Sequence, residues 1–151
     1  QLVYEKQSYY LDILHEVQQC PYAIELVEKL GETATKMAVA SSSHQKEVRT
    51  ILEIWRLDQF FQEIICGDMV SRKKPDPEIY LKAATLLNSS VSECIAFEDT
   101  QHGVEAAFAA GIFVVAIPND YTKGHDYKKA DLIISSLDQS LSILADRGIN
   151  I

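Results

Sequence analysis

Short apolar runs alternate along the chain with stretches in which apolar residues recur every three or four positions. Tyr10, Ile13, Leu14 and Val17 stand at i, i+3, i+4 and i+7, which predicts a helix over about 4–18. Cys20-Pro21 breaks it. A proline suits the first turn of a helix, and the next one carries Ile24, Leu26, Val27 and Leu30 before Gly31 ends it. Met37-Ala38-Val39-Ala40 reads as a strand buried on both faces, and it runs into Ser41-Ser42-Ser43, where one serine can cap the following helix. That helix presents Val48, Ile51, Leu52 and Trp55 on one face. Phe60 to Cys66 forms a second strand region, and Gly67 to Pro75 a loop containing Arg72-Lys73-Lys74. A helix then starts at Asp76-Pro77 with Ile79, Tyr80, Ala83, Ala84 and Leu87 along one face, and Asn88-Ser89-Ser90 ends it. Cys94-Ile95-Ala96-Phe97 is a third strand stopped by Glu98-Asp99-Thr100. A helix near 102–110, a fourth strand over Ile112 to Ile117, a polar loop over 119–129, a fifth strand Leu132-Ile133-Ile134 and a helix from Leu137 to Ala145 complete the pattern.

Short apolar strands alternating with amphipathic helices define an α/β fold with a parallel sheet covered on both faces. The 151 residues are enough for one domain with its own core. Fourteen basic against twenty-two acidic residues leave a net charge of −8, a poor match to nucleic acid or an anionic membrane surface. No apolar run approaches the roughly 20 residues of a membrane span, and no signal-peptide pattern is present. Cys20, Cys66 and Cys94 are odd in number and lack C-x-x-C spacing, which argues against a disulfide framework or zinc site and for a reducing, cytoplasmic setting.

In sheets of this kind ligands sit at the carboxyl ends of the strands. After the first strand comes Ser41, after the second the loop to Lys74, after the third Glu98-Asp99, and after the fourth Pro118-Asn119-Asp120. Two adjacent carboxylates cannot both be buried unpaired, and they suit a hard divalent cation such as Mg²⁺. Lys74 supplies a point charge for a phosphoryl oxygen, and Ser41 a hydroxyl beside helix N–H groups. Cation, metal and helix N-terminus together describe a phosphoryl-transfer site. Each residue has a plainer reading as well. The serines alone would be a helix cap, Lys74 a solvated surface lysine, and Glu98-Asp99 a helix N-terminal pair. Arg72 and Lys73 read as solvated, His15 and His125 as surface or loop residues, and His102 as pocket rim or solvent. Cys66 and Cys94 read as small buried hydrophobes.

Val39-Ala40-Ser41-Ser42-Ser43, Lys74-Pro75-Asp76-Pro77, Phe97-Glu98-Asp99-Thr100-Gln101-His102-Gly103-Val104-Glu105-Ala106-Ala107 and Ala110-Gly111 resemble, in order and spacing, the haloacid-dehalogenase superfamily. The likeness is to its branch of phosphatases and β-phosphoglucomutases. The resemblance implies a Rossmann-like, doubly wound, mostly parallel core over 21–151, with residues 1–20 as the last cap helix and hinge. It implies that Ser41, helped by Ser42, binds the transferring phosphoryl group, that Lys74 steadies its charge, and that Glu98 and Asp99 hold Mg²⁺. It implies Mg²⁺-dependent hydrolysis of a small phosphorylated metabolite through an aspartyl-phosphate. The alternatives are a sugar-phosphate mutase or a non-catalytic binding module. The departure is the family's first motif, a central strand followed by Asp-x-Asp, whose first aspartate is the nucleophile. No Asp-x-Asp occurs in these 151 residues. The expectation is therefore a fragment of a longer enzyme, favoured over an incompletely read gene or a true partial protein by the start at Gln1. It is inactive alone, with a gap between the strands that end in Ser41 and Glu98.

Overall fold

The computed structural model describes residues 18–149; the helix expected over about 4–18, and most of the 1–20 segment, lie outside them. The described chain begins with α1 (Ala23–Gly31), which buries Leu26 and Leu30 one turn apart. Then follow β1 (Ala38–Ser41), α2 (Gln45–Ile54), β2 (Glu63–Cys66), α3 (Glu78–Leu86), β3 (Ile95–Glu98), α4 (Gln101–Ala109), β4 (Phe113–Ala116), β5 (Leu132–Ile133) and α5 (Ser140–Asp146). Single 3-10 turns sit at Asp58–Phe60, Val91–Glu93 and Leu137–Gln139.

Among the described residues every strand pairing is parallel. β1 pairs with β2, Ala38 opposite Glu63 and Ser41 opposite Cys66. Separately, β3, β4 and β5 form a second sheet in that order, with Ile95 opposite Phe113 and Glu98 opposite Ala116. Among the described residues β1 and β3 each have a strand neighbour on one side only. The two sheets nevertheless share one core. Ala38 and Ala40 of β1 pack with Ala96 of β3 and with Ile79, Ala83, Val104 and Ala107 of α3 and α4. On the opposite side Met37, Ile95, Phe97 and Ile117 meet α1 and α5 through Leu26, Leu30 and Leu144. Helices on both faces of parallel strands make this an α/β, Rossmann-like architecture.

Several boundaries differ from the pattern. The second strand starts at Glu63 because Asp58–Phe60 closes a 3-10 turn, and Phe60 and Phe61 pack sideways into the cores. The last helix splits into a 3-10 turn and α5. β5 is only two residues long, and Leu132 and Ile133 remain 40% and 60% exposed, as expected of an edge strand with one neighbour. Cys94 precedes β3 and is half-buried, whereas Cys66 is fully buried. Among the described residues no helix is long and apolar enough to cross a membrane.

Candidate active site

Side chains alternate across a strand, so Glu98 faces the same side as Ala96, into the layer of α3 and α4. Its carboxylate is buried, with 8% of the residue exposed. A charge in that position requires partners. Two donors reach the same oxygen: the Lys74 ammonium and the Tyr80 hydroxyl both donate to Glu98 Oε1. Lys74 Nζ also donates to the Ala40 carbonyl at 3.0 Å, so it joins the end of β1 to the end of β3. The Tyr80 oxygen lies 3.4 Å from Nζ, and Nζ is 4.9 Å from the Tyr80 ring centroid. An ammonium has three donors. Two are firmly engaged, and the third has only the long contact to Tyr80. Burial pushes the Tyr80 phenol well above the ordinary tyrosine range, and the Glu98 charge and hydrogen bond raise it further.

The acid pair sits at the entrance to α4. Thr100 caps that helix, its Oγ1 accepting the Gly103 N–H at 3.1 Å. A Cβ at Gly103 would collide with the Glu98 carboxylate, so glycine here makes room for the buried acid. Asp99 turns the other way and is exposed. Asn119 Nδ2 donates to its Oδ2 at 3.0 Å, and the Tyr127 hydroxyl donates to its carbonyl at 2.6 Å. The loop that carries these two residues also reaches Gln101. His125 Nδ1 accepts the Gln101 N–H at 3.3 Å, and the Asp126 N–H donates to Gln101 Oε1 at 3.3 Å.

The three serines divide. Ser41 lies on the Val39 face of β1 and lines a cavity of about 210 Å³ with Val48, Ile51 and Leu52, while its Oγ accepts the Ser43 N–H at 3.1 Å. Ser42 instead lines a cavity of about 300 Å³ with Lys74, Thr100, Gln101, His102 and His125. Gly67 backs this turn, since a Cβ there would strike the Ser42 carbonyl. The N-terminus of α2 already faces two carboxylates: Glu47 accepts the His44 N–H at 3.2 Å and Asp68 the Gln45 N–H at 3.1 Å. The cavity with Lys74 is thus the better anion site of the two.

Ser42, Lys74, Glu98 and Asp99 therefore gather at one rim, the carboxyl ends of β1 and β3, and Ser41 points to the other face of its strand. Arg72, read as solvated, is 71% exposed but pairs with Asp76 at 3.2 Å and Glu78 at 3.5 Å. His125, read as a loop or surface residue, is in the loop but lines the cavity. Tyr80, Asn119 and Tyr127 were not among the site residues expected. Tyr80 sits on an apolar helix face, where an aromatic reads as core. Asn119 and Tyr127 sit in a loop with no periodicity to interpret. The one available signal was Asn119 following a strand end. Asp99 is fit to hold Mg²⁺: it is an exposed carboxylate with one oxygen held by Asn119, beside a second acid. Among the described residues no three His, Cys, Asp or Glu side chains cluster as a metal cage, and Mg²⁺ commonly takes one or two carboxylates with water and phosphate.

Parallel strands between helix layers, with a lysine, a serine and an acid pair at the carboxyl rim, define a Rossmann-like core with a candidate site at that rim. The chain belongs to the haloacid dehalogenase-like hydrolase family, whose profile matches residues 3–117. It is 32% identical over 137 residues to protein CbbY of Rhodobacter capsulatus, covering 87% of this chain and 60% of that protein. It is 37% identical over 108 residues to a phosphorylated carbohydrates phosphatase of Thermotoga maritima, covering 72% of this chain and 49% of the other. The chain thus spans about half to three fifths of these relatives' length. In structure it resembles a hydrolase of family IA, variant 3, from Entamoeba histolytica, with a TM-score of 0.84, 30% identity, and coverage of 99% of this chain and 70% of that one. It also resembles a β-phosphoglucomutase from Clostridium difficile, with a TM-score of 0.81, 26% identity, and coverage of 95% and 63%.

Proposed function

We propose that this chain is the phosphate- and cation-binding part of a Mg²⁺-dependent phosphohydrolase acting on small phosphorylated metabolites, phosphorylated carbohydrates foremost. The observation that carries this reading is Lys74, buried between the Ala40 carbonyl and Glu98 while lining the same cavity as Ser42. An ammonium held by two acceptors is already positioned, so its third donor can meet a phosphoryl oxygen without reorganisation. The Ser42 hydroxyl lines the same cavity and would supply a further contact to it, whereas the Ser41 hydroxyl faces the other cavity. Asp99 would hold the Mg²⁺, which neutralises phosphoryl charge when bound, with Glu98, expected as the second ligand, engaged instead by Lys74 and Tyr80. Asn119 and Tyr127 keep Asp99 in place for it.

The substrate class is supported by the relative named for phosphorylated carbohydrates and by a CbbY structure from Rhodobacter sphaeroides in complex with xylulose-1,5-bisphosphate, 27% identical to this chain. Structural likeness to a β-phosphoglucomutase favours a sugar-phosphate mutase as the second reading. The family's aspartyl-phosphate route needs a carboxylate that displaces the alcohol from phosphorus and is then freed by water. None of these 151 residues forms an Asp-x-Asp, so the chain alone binds but does not turn over. The test has two parts. Inorganic phosphate titrated into the chain with Mg²⁺ present should bind, and Lys74→Ala should abolish the heat. Purified chain should release no p-nitrophenol from p-nitrophenyl phosphate; Mg²⁺-dependent release would overturn the inactivity reading, and absence of phosphate binding the site itself.

A further inference from the structure

We propose that Tyr80 is a positioning residue of this site, its hydroxyl fixing the Glu98 carboxylate that in turn holds the Lys74 ammonium at the cavity. This deepens the reading above, since it rests on Lys74 being the cation that faces the phosphoryl group.

The geometry is specific to the hydroxyl. Tyr80 comes from the first turn of α3, six residues after Lys74, and only 7% of it is exposed. It belongs to the buried cluster that holds Ile79, Ala83, Ala96 and Val104, and a phenylalanine ring would fill the same space. What phenylalanine lacks is the donor to Glu98 Oε1. That oxygen also receives Lys74, so the carboxylate is held from two sides by groups on one segment, residues 74–80. The other carboxylate oxygen lies against Gly103, where no side chain competes for the space. The carboxylate is therefore confined by Lys74, Tyr80 and the backbone at 103. Lys74 and Glu98 side chains are each 8% exposed, so water cannot readily replace a lost donor. Without the hydroxyl, Glu98 keeps one polar tether, which is the ion pair itself, and Lys74 is left with the Ala40 carbonyl as its one acceptor independent of that carboxylate.

The test reads Lys74 directly and needs neither substrate nor metal. Acetic anhydride labelling of the whole chain at pH 9, analysed by peptide mass spectrometry, compares Lys74 with the surface lysine Lys46. Tyr80→Phe should raise Lys74 labelling about five- to tenfold and leave Lys46 unchanged. Adding Tyr80→Phe to Glu98→Gln should change Lys74 labelling no further, because the hydroxyl acts through that carboxylate. Equal Lys74 labelling in wild type and Tyr80→Phe, or full additivity with Glu98→Gln, would overturn the proposal. Should the phenylalanine chain not fold, Tyr80→Met, which also lacks the hydroxyl, is read by the same labelling: a rise at Lys74 with Lys46 unchanged supports the proposal, and no rise overturns it. Loss of phosphate binding by wild type would refute the proposed function and leave this result standing.

Discussion

Single side chains at this rim are held by contacts that leave no slack. Gly103 is the sharpest case, because the Glu98 carboxylate occupies the space of its missing Cβ. Gly103→Ala must push a buried, ion-paired acid out of place. It should destabilise the chain by about 1–3 kcal/mol in urea unfolding, the range for overpacked sites. Gly124→Ala, where nothing lies within 4 Å of the added carbon, is the matched control and should shift the midpoint little. Asn119 poses the same question for Asp99. It donates to one carboxylate oxygen, as a group that orients a ligand does. Asn119→Ala should weaken Mg²⁺ binding roughly tenfold by calorimetry. An unchanged affinity would remove Asn119 from the site.

At the scale of elements, two loops place the chemistry, and each is fastened by side chains. The loop before α3 carries Lys74 and is held by Glu78, whose carboxylate accepts the Ser71 N–H at 2.7 Å and the Arg72 N–H at 2.9 Å. Those backbone bonds, with the Arg72 guanidinium added, hold the Glu78 carboxyl below its ordinary value of 4.5. A folded value below the unfolded one means the stabilisation is fully present above the unfolded value. It fades as pH falls through the folded one. Wild type should therefore exceed Glu78→Gln in stability at pH 7, and the gap should close as pH falls below 4.5 and through the lower folded value. Urea midpoints of both chains across pH 3–7 check this, and a gap independent of pH would show that Glu78 does not act as a carboxylate. The loop over 119–129 is fastened by Tyr127, buried and donating to the Asp99 carbonyl, with Thr122 O 2.9 Å from the same hydroxyl.

At the scale of the molecule, the two sheets are joined among the described residues through helices and through Lys74 rather than through a shared ladder. The Glu98 carbonyl accepts the Ile117 N–H at 2.7 Å, so Ala96 and Glu98 turn their backbone groups towards β4. Ile95 and Phe97 turn theirs to the side where β3 has no strand neighbour among the described residues. Hydrogen exchange followed by NMR should show Ile95 and Phe97 amides exchanging at least tenfold faster than Ala96 and Glu98. Equal protection would mean that this edge is paired in solution. An open edge beside the site is also consistent with a chain that spans only part of its relatives' length.

Much of this was legible before any coordinates. Continuous apolar runs marked four strands, and the residues after them marked the rim, because strand ends in a parallel sheet come to one edge whatever the loops do. Lys74 and Glu98 are an example: the sequence places each at the end of a strand or in the loop after one, and the fold then brings them together as an ion pair. The edge character of β5 was not legible, since a short apolar run looks the same with one neighbour or two. Nor was the division of the serines, which depends on which face of β1 Ser41 takes and on how the turn at Ser42 packs against Gly67. Tyr80, Asn119 and Tyr127 entered the site only through tertiary contact. Hydrophobic periodicity records which face of an element is buried; it carries no record of which polar atom on another element a buried hydroxyl or amide will meet. The sequence alone therefore determined the α/β order and the candidate acids and lysine, and packing decided which atoms hold them.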